Sequence, residues 1–144
     1  MLEVTTWSLA YAPGVASRAK TILRWALTVF MVGAGANHFI NPDMYLAMMP
    51  SQLPAHGALV AISGVAEILG GLGLILPRTR RLAAWGLIAL FVAVFPANLN
   101  MALNGLPLNG KELPAWALWG RLPLQVVLIA WAFWYTRPDI TDRA

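Results

Sequence analysis

Residues 63–103 read SGVAEILGGLGLILPRTRRLAAWGLIALFVAVFPANLNMAL. Two long apolar runs are separated here by Pro77, Arg78, Thr79, Arg80 and Arg81. Each full run is about 20 residues, which at 1.5 Å per residue matches the hydrocarbon thickness of a bilayer. Neither shows the strict alternation of a membrane strand, and lipid offers the backbone no partners, so both are expected as helices. The stretch reads as a membrane hairpin with a basic turn.

The same pattern extends to both sides. Apolar stretches run from Thr21 to Ile40, Ala55 to Leu76, Leu82 to Leu103 and Pro114 to Tyr135. Of the 144 residues, 59% are hydrophobic and 11% charged, and the mean hydropathy is +0.65. A soluble domain is usually about 25% charged, so this chain lacks the polar surface to coat a globule in water. The expected architecture is all-α, a four-helix transmembrane bundle forming one domain over residues 20–136. Residues 1–19 are expected as a cytoplasmic lead and 137–144 as a cytoplasmic tail. The lead has no apolar core behind basic residues, so a cleavable signal is not expected. PGVAS (13–17) reads as a breaker before the first span. With no cysteine, disulfides, thiolate metal sites and thiol chemistry on this chain are excluded.

Charge placement sets an expected orientation. Arg18, Lys20 and Arg24 lie at the start of span one, Arg78, Arg80 and Arg81 between spans two and three, and Arg137 and Arg143 after span four. The opposite side has Lys111. The bias puts both termini and the basic turn in the cytoplasm, in an inner-membrane multi-pass protein. These cations are therefore topology determinants; the expected partner is the lipid bilayer, with no nucleic acid. Trp25, Trp116, Trp134 and Tyr135 fall near span ends, where amphipathic rings favour the interface.

The loop after span one follows GANHFINPDMYLAMMP (35–50). Asn41 stands where an N-cap belongs, Pro42 at the first helical position and Asp43 in the first turn. A short helix over 42–49 is expected, lying on the outer face or folded over the bundle mouth. As a bland connector it needs no function; as a lid it covers a pocket.

The polar residues within the spans carry the functional question. Glu67 lies near the middle of span two, and Arg121 enters span four from the outer side. A charge at a helix centre costs on the order of 2.5–3.5 kcal/mol even on a lenient insertion scale. Such groups face the interior and find partners, so a Glu67–Arg121 contact is expected. Gln125 shares the face of Arg121 one turn on. Asn98 and Asn100 fall in the outer third of span three, and Asn37 and His38 at the outer end of span one. An inward-facing polar recess formed by Asn37, His38, Glu67, Asn98, Asn100, Arg121 and Gln125 follows. Pro96 and Pro123 lie within spans and free the carbonyls of Val92 and Trp119. The span-two glycines, with the Ala66/Gly70 pair, fit close helix packing. GGLG is no dinucleotide fingerprint. Purely structural roles remain open for His38 as an interfacial hydrogen-bonding residue, and for Glu67 and Arg121 as a helix lock. No metal site is expected, and haem is disfavoured.

The loop segment, the 63–103 stretch and LPAWALWGRLPLQVVLIAWAFWY (113–135) together resemble the DoxX and DoxX-like membrane proteins over roughly residues 20–136. The resemblance lies in the order of N-H-F with a following Pro, the Gly-flanked Glu, P-A-N and R-x-P-x-Q. His38, Glu67, Asn98, Arg121 and Gln125 match it. It implies association with a quinone- or quinol-linked redox system, with membrane or peripheral oxidoreductase subunits as partners. Absence of cysteine argues against thiol oxidation by this chain itself. The expected function is thus a redox-associated membrane protein holding a quinone-like or other lipophilic molecule in the recess. A non-catalytic assembly subunit and a small-solute permease are the alternatives. Its small-residue faces permit a homodimer without requiring one.

Overall fold

The computed structural model describes residues 13–107 and 111–137. Among them the chain is all-α, with helices α1 (Pro13–Ile40), α2 (Pro42–Leu46), α3 (His56–Gly73), α4 (Arg80–Asn104) and α5 (Ala115–Trp134). The four expected spans fall on α1, α3, α4 and α5. PGVAS is no breaker: Pro13 opens α1, where a missing N–H costs nothing. The rest of the expected lead (1–12) and most of the tail (138–144) lie outside the described residues.

Three helices, α3, α4 and α5, are long and apolar enough to cross a membrane. Their apolar residues point outward as well as inward, with Ile62, Leu69, Leu82, Val92 and Val126 all exposed. A helix apolar all round is suited to lipid, and the chain is a membrane protein in this sense. The longer α1 is not one of the three; Arg24, Thr28, Asn37 and His38 dilute its apolar character.

Successive long helices pack on each other, α1 on α3, α3 on α4 and α4 on α5. The α1–α3 crossing is antiparallel and close. A Cβ on Gly35 would lie 2.6 Å from the Gly64 carbonyl oxygen, and one on Gly64 would lie 2.7 Å from His38 Cβ. One heptad further along α3, the Gly71 carbonyl accepts from Thr28 Oγ1 at 2.9 Å. Gly70 instead faces Leu87 of α4. Small residues let backbones approach when there is no hydrophobic force between helices in lipid. Here they present two faces of α3 to two neighbours.

Two apolar clusters fill the molecule. One joins Leu27, Met31, Leu74, Leu87, Phe91 and Tyr135; the other joins Met48, Met101, Ala102 and Leu118 near the α2 end. Tyr135 is 0% exposed, so it is no interfacial ring. Its hydroxyl donates to the Lys20 carbonyl at 3.2 Å and ties α5 to α1. Trp25, Trp116 and Trp134 are exposed, as interfacial rings would be. Within the basic turn, Arg80 is buried and its Nε donates to the Leu74 carbonyl at 3.2 Å, while Thr79 Oγ1 donates to Gly73 at 2.9 Å. Both side chains satisfy carbonyls that the end of α3 leaves open.

Candidate functional site

His38 is placed by the glycine crossing. With α1 and α3 in backbone contact, its ring enters α3 and is only 6% exposed. Nδ1 lies 2.9 Å from the Val60 carbonyl oxygen. Ser63 Oγ, which donates to the same carbonyl at 3.0 Å, is 3.3 Å from Nδ1. A carbonyl only accepts, so Nδ1 carries a proton and donates it. The opposite nitrogen, Nε2, lies 3.5 Å from Glu67 Oε2. That oxygen is buried without a hydrogen bond in the static geometry, since 3.5 Å exceeds the usual range. Nε2 and Oε2 thus face each other just beyond hydrogen-bond range, placed to exchange a proton with a group that enters beside them.

The α2 segment closes over this pair. Tyr45 stacks on His38 with ring centroids 3.6 Å apart and an interplanar angle of 26°. Asn37 Nδ2 donates to Tyr45 Oη at 2.9 Å, and Asn41 Nδ2 donates to Asn37 Oδ1 at 2.7 Å. Asn41 therefore caps nothing with its side chain; it braces Asn37 instead. The helix is shorter than expected, ending at Leu46, with turns through 47–49. Met48 is buried against Met101 and Leu118, and Asn100 Nδ2 donates to the Met48 carbonyl at 3.0 Å. Of the two arrangements expected, the segment takes the folded-over one.

Beneath it lies a partly open cavity of about 120 Å³. One wall is His38, Val60, Ser63 and Glu67; the roof is Tyr45, Met48 and Met49; the far wall is Val94, Ala97 and Asn98 of α4 with Arg121 of α5. That space holds several waters or one small polar group, well short of the ~300–1,000 Å³ typical of drug-sized ligands. Burial raises the Tyr45 phenol above its ordinary value of 10.0; the Asn37 hydrogen bond works against this, Glu67 adds to it and Arg121 opposes it. The phenol is therefore neutral at physiological pH.

The seven expected residues divide into two groups. His38, Glu67, Asn98 and Arg121 line the cavity. Asn37, Asn100 and Gln125 brace it. Gln125, 4% exposed, accepts from Asn98 Nδ2 at 3.0 Å and donates from Nε2 to the Phe91 carbonyl. That carbonyl is one residue before Val92, which Pro96 was expected to free. The Glu67–Arg121 contact is not made: among the described residues, Glu67 pairs with His38 and Arg121 has no ion-pair or hydrogen-bond partner.

Side-chain direction accounts for this. Every Cα–Cβ bond tilts toward its helix N-terminus. Helices α3 and α5 both begin at the α2 end, so Glu67 and the shallower Arg121 lean the same way and stay apart. Helix α1 runs oppositely, so His38 leans toward Glu67. Ser63 and Tyr45 join the site beyond the seven expected residues. Ser63 is four residues before Glu67 on one face, a usable signal; Tyr45 falls within the short helix expected over 42–49, and nothing in the sequence shows that its ring covers His38.

No curated protein and no solved structure matches the chain. Residues 27–136 match the model of a family described as Domain of unknown function (DUF8561). This overturns the DoxX expectation, and the oxidoreductase partners inferred from that resemblance lose their support. The motifs behind it are short and separated by apolar runs that many membrane helices share. The chain belongs to the family described as a domain of unknown function, DUF8561.

Proposed function

We propose that this is a four-helix transmembrane bundle with both termini in the cytoplasm, whose cavity binds the polar head of a small lipophilic molecule. The Lys/Arg bias supports the orientation, and antiparallel packing of α1 on α3 supports counting α1 as the first span. The single observation carrying the binding reading is the cavity itself: an imidazole beside a carboxyl group on one wall, a guanidinium with no ion-pair or hydrogen-bond partner among the described residues on the other, and Tyr45, Met48 and Met49 above. Groups this costly in a membrane converge on something that uses them. The head of an amphiphile enters the cavity while its tail lies between helices or in lipid. His38 and Glu67 exchange a proton with the head, and Arg121 holds an oxygen.

The test uses protein in lipid nanodiscs, titrated calorimetrically with octyl-tailed probes bearing alcohol, quinone or carboxylate heads. At least one should bind saturably, and Ala97→Phe, which fills the cavity without touching a polar group, should abolish that binding. Failure of all three heads, or equal binding to the filled variant, refutes the reading.

A further inference from the structure

We infer that the head group is a hydroxyl, donating to the His38–Glu67 wall and accepting from Arg121; this rests on the binding reading above. Donors and acceptors do not match across the cavity. With its Nδ1 proton given to the Val60 carbonyl at 2.9 Å, a neutral His38 ring presents Nε2 as an acceptor. Glu67 as a carboxylate only accepts, and its Oε2, 3.5 Å from Nε2, is buried with no hydrogen bond. Neighbouring donors are directed elsewhere: Ser63 Oγ to the Val60 carbonyl and Asn98 Nδ2 to Gln125 Oε1, each at 3.0 Å. This wall therefore lacks a proton donor. Arg121, on the far wall, has the opposite need. A guanidinium only donates, and among the described residues nothing accepts from it. Buried polar groups left unpaired are disfavoured, so an occupant that serves both walls is held by both.

Charge and size narrow the choice. Carboxylate and guanidinium carry opposite charges on two walls of one cavity, so the occupant brings none of its own. An alkyl carboxylate sets a second anion against Glu67, and an alkylammonium a second cation against Arg121. Among uncharged heads, a quinone carbonyl or an ether only accepts and leaves the His38–Glu67 wall as it is. A hydroxyl is the smallest group that does both, its O–H toward Nε2 and Glu67 and its lone pairs toward Arg121. Water fills the same role in a space of about 120 Å³. A lipophilic alcohol takes over the hydrogen bonds of that water, and its first carbons add apolar contact with Met48, Met49, Val94 and Ala97.

Octanol, octyl methyl ether and octanoate, each titrated into nanodisc-embedded protein with empty nanodiscs as the baseline, separate the outcomes. The ether keeps the oxygen and the tail and loses only the O–H. Octanol should bind at least about tenfold tighter than the ether, the scale of one buried hydrogen bond, and tighter than octanoate. Glu67→Gln, close in shape and able to turn an N–H toward the ether oxygen, should bring octanol and ether to near parity. Arg121→Gln should weaken octanol and ether alike, because the acceptor contact is common to both. The comparison of probes on the wild-type protein decides even where a variant does not fold. Ether or octanoate binding as tightly as octanol, or an unchanged preference for octanol in Glu67→Gln, overturns the hydroxyl inference and leaves the pocket standing. If no probe binds saturably above the baseline, both fall.

Discussion

The Gly35–Gly64 contact sets both the distance between α1 and α3 and the position of His38, so Gly64→Ala tests the structural basis of the site. A Cβ there meets His38 Cβ at 2.7 Å, with the Gly35 carbonyl and a Phe39 ring carbon at 3.0 Å. Ordinary contact begins near 3.4 Å, so α1 must retreat by about 0.7 Å. The His38 Nδ1 to Val60 bond, 2.9 Å now, stretches to roughly 3.6 Å and ceases to be a hydrogen bond. Overpacking of this kind costs about 1–3 kcal/mol, while replacing a helical glycine by alanine returns up to about 1 kcal/mol. Gly86→Ala isolates that second effect, because nothing lies within 4 Å of its added Cβ. The difference between the two variants should therefore be about 1–3 kcal/mol in favour of Gly86→Ala. Tryptophan fluorescence in detergent–SDS titrations reads it. Histidine-selective nitrogen NMR should show loss of the fixed Nδ1–H form in Gly64→Ala alone. Equal stability of the two variants, with an unchanged His38 spectrum, would refute the idea that this crossing builds the site.

Gln125→Leu leaves the Phe91 carbonyl and the Asn98 amide without their shared partner, and should destabilise by about 1–3 kcal/mol in the same titration; wild-type stability would show the bracket to be idle. Asn100→Leu removes the latch on the Met48 carbonyl, so hydrogen exchange over residues 44–50 should accelerate while α3 stays protected, and unchanged exchange would place the roof's stability elsewhere. For Tyr45, whose phenol is raised by burial, the folded state holds the proton more tightly than the unfolded one, so its contribution is intact below the ordinary value of 10.0 and is lost as pH rises beyond it. The phenolate absorbance missing in Tyr45→Phe should accordingly appear above that value in folded protein, and appearance at or below it contradicts the buried stack. The chain has no cysteine, so single cysteines report topology cleanly: in intact cells Ser51→Cys should react with an impermeant maleimide and Arg78→Cys should not, and the reverse pattern inverts the orientation.

The existence of the long helices was legible because apolar length is a strong signal, and so were the ends of two: the stretch from Leu82 to Leu103 became Arg80–Asn104, and Pro114 to Tyr135 became Ala115–Trp134, whereas α1 starts at Pro13 and not at the expected Thr21. Convergence of His38, Glu67, Asn98 and Arg121 was legible too, since polar groups in apolar helices have few places to go. Pairing was not. Counting residues along the bilayer normal gave depths for Glu67 and Arg121, but not the lean of each side chain, which depends on chain direction. Arg80 looked like another solvated turn cation, and its use as a cap for α3 depends on how tightly the turn folds. Tyr135 looked like an interface residue and Tyr45 like one position of a short loop helix, because sequence alone does not say which rings a neighbouring element will cover.

The position of the proton is where these levels meet. A histidine in a membrane helix ordinarily has two tautomers open to it, and a carboxylate beside it would select the one that donates from the nearer nitrogen. Here the Val60 carbonyl claims Nδ1 first, because the glycine crossing delivers the ring to α3 at hydrogen-bond distance. Nε2 is left as the nitrogen facing Glu67, beneath the Tyr45 ring. Widening the crossing releases Nδ1, and the ring is then free to take the other tautomer. The packing of two glycines thus decides which nitrogen of His38 faces Glu67, and through that which atom of the ring is left to take up a proton from the cavity.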